Sequence, residues 1–492
     1  MYSIVALLTI ACMPQDPTTV PDTMPGKRLT DFMTAFNTTD EKQVDAMISR
    51  TFAKSALRIL SKEEWTSRIA GAFKVAPISI DAVLKSTDSI LVVRLKSKSI
   101  LPLGIRLDLE SEVPYGILGA KMGPPAELLD STAPKKYTNW KTLGNLAELI
   151  RSDNKLPALC VAYEQLGQKP EVEVAGFKST IDKETIETDD RLLVGGIGKA
   201  MTATLIAKMV ELKKLSWDST LVSVLPGIKM SDAYKGVTVD QLLHHLAHIP
   251  QRASITGDTI EQLAAKGSSA TDIRMAFVTN ILSQDPEDES NGQSTYDDAD
   301  FVVAGFMIEK LIGKSYEWLM QRYVFDPMKM STAMIAPLGA PEQVGSPGSV
   351  FGHMQSENSY APFQIPASTA GLMLAPAGTG ISCSLGDILK FSEFHLKGLN
   401  GDPHVLTADS YKRIHSLLNG KGSAAGWTIN PSFAGEPCQS IATTDGTFYA
   451  DLTIWPASNM IIVAVTNAGT MRHPSPTLQA VLAVRDRLEK KD

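Results

Sequence analysis

The chain has 492 residues, a net charge of −7, 43% hydrophobic residues and 21% charged residues. That length exceeds one ordinary core and suits two or three domains, and the composition is that of a globular protein. No long basic run is present, which argues against nucleic acid as a partner, because phosphate binding needs a concentrated Lys/Arg face.

The N-terminus is apolar from Ile4 to Ala11 and then meets Cys12. This stretch is too short to span a bilayer and fits the apolar region of an export signal. Thr9-Ile10-Ala11-Cys12 also loosely fits a lipoprotein cleavage site, which would tie the chain to a membrane only through a lipid on Cys12. Against both stands the lack of any Lys or Arg before Lys27; the alternative is an unstructured tail. The expectation is an exported protein, with residues 1–25 as signal and Pro-rich linker. Cys160, Cys383 and Cys438 are far apart and form neither a disulfide framework nor a Cys-x-x-Cys metal site, so buried free thiols are expected.

Residues 26–130 read as a small α+β domain. Leu29, Phe32, Met33 and Phe36 recur at helical spacing, and a second helix begins near Asp40 with Val44, Met47 and Ile48 on one face. Strands follow at Ser89–Leu95 and Ile105–Glu110. Residues 131–143 are a predicted linker. Residues 144–492 form one large α/β region, with a strand at Pro157–Tyr163 and a hairpin partner at Val172–Ala175. The middle is rich in helix. Near the end come strands at Phe448–Trp455 and Met460–Val465 and an amphipathic helix over 475–490. Strands on either side of a helical insert imply one sheet built from both ends of the region.

The segment Leu193-Val194-Gly195-Gly196-Ile197-Gly198-Lys199-Ala200 has the form of a buried helix start carrying a Ser-x-x-Lys motif, except that the serine position is Gly196. Residues three apart share a helical face, so a hydroxyl at 196 would sit within reach of the Lys199 amine, which could take its proton. The helix N-terminus also offers backbone N–H groups to negative charge. With glycine at 196 those donors remain and the nucleophile does not. A phosphate loop is a poor alternative, since Leu193 and Ala200 stand where it needs glycine and Ser/Thr. Of His244, His245 and His248, the first and last could share a helical face as metal ligands do, but no third ligand is indicated. Asp297, Asp298 and Asp300 read either as solvated charge or as a partner for Lys199, with Asp298 the one to pair. Neither metal nor cofactor is expected.

Five segments together resemble the β-lactamase-related serine hydrolases, a family that includes penicillin-binding proteins, class C-type β-lactamases and esterases. They are Val194–Ala203, Glu211–Asp218, Val237–Leu243 followed by His245, the run from Tyr296-Asp297-Asp298 to Phe325-Asp326-Pro327-Met328, and Pro376-Ala377-Gly378 through Phe391. The resemblance implies an α/β transpeptidase-like fold, with an antiparallel sheet flanked by helices plus a helical subdomain. The preceding α+β domain, with Ala35-Phe36-Asn37-Thr38-Thr39-Asp40, is similar to NTF2-like domains. The resemblance also implies hydrolysis of β-lactams, D-amino-acid peptides or small esters through three motifs, and this chain departs from all three. The first has Gly196 for serine but keeps Lys199. The second, Tyr-x-Asn, becomes Tyr296-Asp297-Asp298. The third, Lys/His-x-Gly, aligns with Ile441-Ala442-Thr443 and has lost both its cation and its glycine.

Lys199 and Tyr296 are therefore remnant catalytic positions, and Gly196, Asp298, Thr443 and Thr444 are the residues expected to meet a small-molecule or peptide ligand. The favoured expectation is an impaired hydrolase that keeps its cleft. The alternatives are an active hydrolase with relocated chemistry, using Lys199, Tyr296 and Ser440 or Thr443, and an interaction module.

Overall fold

The computed structural model describes residues 20–59, 61–99, 103–110, 114–123, 125, 128, 137–250, 262–286, 298–341, 343–356, 359–364, 367–419, 423–469 and 475–489. Cys12 and the apolar N-terminal segment, most of 126–136, and Tyr296 with Asp297 lie outside them. The chain divides into two compact units, one made of Met1–Pro134 with Ser432–Gly435 and the other of Lys135–Pro431 with Glu436–Asp492.

In the N-terminal unit, helices α1 (Met24–Asn37), α2 (Glu41–Thr51), α3 (Lys54–Ile59) and α4 (Lys62–Ala70) precede strands β1 (Ser79–Ser86), β2 (Ile90–Lys96), β3 (Leu103–Leu109) and β4 (Ile117–Gly123). The strands form an antiparallel meander in chain order. Asp40 caps α2 by accepting from the Lys42 N–H, and Ser61 with Glu64 closes a capping box at α4. Phe32, Phe36, Val44 and Ile48 bury against Leu91, Val93 and Leu107 as one core. The sequence reading located β2 and β3 but not β1 and β4. Their burial is mixed along both faces, so neither shows a clean period-two pattern.

The second unit opens with α5 (Leu143–Asp153), the hairpin β5 (Ala158–Gln165) and β6 (Glu171–Gly176), and the short β7 (Leu192–Leu193). The helical part follows, with α6 (Ile197–Glu211), α7 (Val239–Leu243), α8 (Ala270–Leu282) and α9 (Asp298–Ile312). Then come β8 (Met334–Ile335), β9 (His353–Ser356), β10 (Ser359–Pro362), β11 (Ile381–Cys383), α10 (Leu385–Leu399) and α11 (Ala408–Ile414). The chain closes with β12 (Thr428–Phe433), β13 (Glu436–Thr444), β14 (Tyr449–Trp455), β15 (Met460–Thr466) and α12 (Pro476–Glu489). The main sheet has the order β12-β13-β14-β15-β5-β6 and is antiparallel at each pairing from β13 to β6. It therefore joins both ends of the region, as the sequence pattern implied. Every residue of β15 is buried, so helices cover both faces: α5 and α12 touch each other and the sheet, and α10 also packs on β15 and β5. Strands β7, β11 and β8 form a separate three-stranded sheet that brackets the start of α6.

Two polar clusters fix the helical part. Arg274 on α8 is fully buried; its guanidinium lies 2.5 Å from Glu309 and 3.0 Å from Glu317 and donates to the carbonyls of Leu372 and Met373. It ties α8 and α9 to the turn Thr369–Ala377 that leads to the site. Removing one partner of such a cluster strands the opposite charge. Arg274→Ala is expected to cost about 3–5 kcal/mol in urea unfolding.

Behind α6, His395 Nδ1 lies 2.8 Å from His415 Nε2, and His395 Nε2 lies 3.1 Å from Thr204 Oγ1. Burial holds both rings neutral: it pushes His415 down to about 3, and His395 well down as well, where repulsion from a protonated His415 ring would act in the same direction. The unfolded chain binds protons near pH 6.5 that the folded chain refuses, so stability is unaffected above that pH and falls below it. At pH 5 His415 alone is expected to remove roughly 2 kcal/mol. Thermal melting between pH 7 and 5 checks this, and His415→Gln should flatten the slope.

Candidate active-site cleft

Helix α6 is buried all round, including its one early charge, Lys199. Its N-terminus is reached from β7 through Gly195, whose φ of +51° suits glycine. The next turn depends on close backbone approach. A β-carbon on Gly198 would lie 2.4 Å from Gly378 Cα, so no other residue lets the helix start sit against the turn that ends Thr369–Ala377. Thr202 reinforces this docking, its hydroxyl 2.6 Å from the Pro376 carbonyl and 2.8 Å from the Tyr316 hydroxyl.

Gly196 is the N-cap residue of α6 and has no side chain to cap with. Its backbone N–H instead donates to Thr443 Oγ1 on β13, at 2.8 Å. A β-carbon built on Gly196 would lie 2.9 Å from that same Oγ1 and 3.3 Å from Thr443 Cβ. The threonine side chain thus stands against the place a serine at 196 would occupy. The two positions are complementary: one has no side chain and the facing position supplies one. The Gly196 N–H at the start of the helix already has an acceptor.

Lys199 Nζ lies 2.7 Å from Asp298 Oδ1, at the start of α9, and 5.9 Å from the centre of the Phe301 ring. The lysine is buried, whereas Asp298 is about half exposed and opens to the cleft. The carboxylate stands within direct ion-pair distance of the amine, as the sequence reading of Asp298 expects. Two residues along α9, Asp300 Oδ2 lies 2.9 Å from His245 Nδ1, both fully buried. Burial, aided by the charges of Lys199 and His244, pushes His245 down to about 3, so the imidazole is neutral. This pair spans 55 residues and carries no local sequence signal.

The start of α6 and strand β13 border a cleft of about 1020 Å³. Gly196, Lys199, Asp298, Thr443 and Thr444 all border it, together with Trp427 and Phe363, which the sequence reading did not single out. Thr444 has its hydroxyl committed within the β13–β14 turn, donating to the Phe448 carbonyl and accepting from the Gly446 N–H. The Ser440 hydroxyl accepts from Asn430 Nδ2 at 2.7 Å, and Ser440 is not among the residues lining the cleft. His244 has both ring nitrogens near carbonyls, those of Asp240 and Ser416. Among the described residues no group of three His, Cys, Asp or Glu side chains is placed to hold a metal ion, and no helix is long and apolar enough to cross a membrane.

Residues 146–484 match the Beta-lactamase family. The chain is 23% identical over 351 residues to penicillin-binding protein 4 of Amycolatopsis lactamdurans, which covers 68% of this chain and 86% of that protein. Among solved structures it is similar to a D-stereospecific amidohydrolase from Streptomyces sp., with TM-score 0.54 and 16% identity over 69% of this chain and 97% of that one. It is also similar to a class C β-lactamase from Rhodobacter sphaeroides, with TM-score 0.52 and 16% identity over 70% of this chain and 99% of that one. These structural likenesses carry the fold, and the family match spans more than half of the sequence. By sequence and by architecture, the chain belongs to the β-lactamase family.

Proposed function

We propose that this protein is a catalytically silent member of the family that keeps the cleft to bind a ligand. The observation that carries the reading is the Gly196–Thr443 contact: the nucleophile is absent and its space and its N–H donor are taken by a threonine hydroxyl. Removing the nucleophile of a serine hydrolase costs about 10⁶ in turnover. The Lys199–Asp298 pair adds to this by occupying the amine with a carboxylate 2.7 Å away. An acyl-enzyme at residue 196 cannot form. Export is proposed on separate grounds, from the apolar Ile4–Ala11 stretch.

The test is incubation with a fluorescent penicillin and a chromogenic ester, followed by intact-protein mass spectrometry. No adduct is expected; one equivalent of covalent label per chain would refute the reading. A second reading, slow ester hydrolysis by Thr443 itself, is favoured only by the position of its hydroxyl over the helix N-terminus. It requires ester turnover that disappears in Thr443→Val.

The packing gives a further expectation. Gly196→Ser alone should not restore labelling and should destabilise the fold by about 1–3 kcal/mol through overpacking. Combining it with Thr443→Gly should relieve that clash. A double-mutant cycle in urea is expected to show coupling above about 1 kcal/mol. Additive effects would mean the two positions do not share one space.

A further inference from the structure

The charges around the cleft say what kind of ligand it can hold; this inference rests on the ligand-binding reading above. Lys199 is the one cation among the described residues lining the cleft, and Asp298 stands 2.7 Å from it. A second acid, Asp445, sits at the β13–β14 turn. One of its oxygens accepts from the Thr447 N–H at 2.8 Å, the Phe448 N–H at 2.7 Å and the Thr447 hydroxyl at 3.0 Å, all neutral donors. The described lining therefore carries one positive and two negative charges. Ile441 stands on β13 where the third motif would supply a cation, and it is buried and apolar. Trp427, Ile429, Leu338 and Phe363 continue the apolar wall, with threonine hydroxyls and backbone between them.

A carboxylate entering such a site would give up its water and, among the described residues, meet only a cation already paired with Asp298, and burying a charge is costly unless it is paired. An uncharged molecule with an apolar body and a carbonyl or hydroxyl group loses far less and gains the walls. We infer that the cleft selects an uncharged, largely apolar ligand, such as an ester or amide lacking a free carboxylate, and rejects carboxylates, with Ile441 as the residue that sets this preference.

The probes are N-acyl D- and L-amino acids with aromatic side chains and their methyl esters, matched except for the charge. Binding to the full chain is measured by calorimetry at low ionic strength. Each ester is expected to bind at least tenfold more tightly than its acid. Placing a cation on the strand should shrink or invert that ratio. Ile441→Lys tests this directly. Ala442→Lys, at an exposed position of the same cleft wall, tests it without burying a charge. Acids binding as tightly as esters to the unaltered protein would overturn the charge preference and leave the ligand-binding cleft standing. A ratio unmoved by both lysine variants would also overturn the assignment to this strand. Binding of neither form at millimolar concentration would remove the cleft reading and this inference with it.

Discussion

The buried N-terminus of α6 is the constraint on which the second unit is organised. A helix end left without partners is costly, and here the surroundings supply them piece by piece. The turn at Gly378 comes within van der Waals range of Gly198, Thr202 ties the first turn to the Pro376 carbonyl, and Thr443 reaches across from β13 to the Gly196 N–H. Residues of both sheets line the cleft, Leu193 from the three-stranded sheet and Ile441, Thr443 and Thr444 from the main sheet.

On the proposed reading the same position would hold a reacting group in a working hydrolase, which is why the Gly196–Thr443 contact matters beyond one hydrogen bond. A helix N-terminus that faces solvent or substrate can stabilise developing charge. One that donates to a fixed neighbouring hydroxyl is satisfied in the resting state, and that contact must be broken before it serves anything else. Thr443 is β-branched, so its side chain has few alternative rotamers into which to withdraw. The site has the character of a repacked interior rather than of a vacancy.

Electrostatics tell a consistent story one shell further out. Lys199 is held by a carboxylate where the family pattern has an amide, and His245 is neutral and locked to Asp300. The Lys199 cation is thereby paired within the protein. Carboxylate-bearing compounds need an uncompensated cation, and Ile441 contributes none. The departures at residues 196, 298, 441 and 443 thus point in one direction.

The sequence by itself determined the fold class, because motif order and strand and helix periodicity are local properties that survive without coordinates. It also determined that residue 196 has no nucleophile, since that is a matter of residue type alone. Strands β1 and β4 stayed hidden because their burial follows no alternation, and the His245–Asp300 pair because its members are far apart in the chain. Only the tertiary structure decided that Thr443 fills the space facing Gly196, that Lys199 is paired with Asp298, and that Ser440 turns away from the cleft. The physical reason is that each of these depends on distances across the fold, where a difference of one ångström separates a hydrogen bond from a clash.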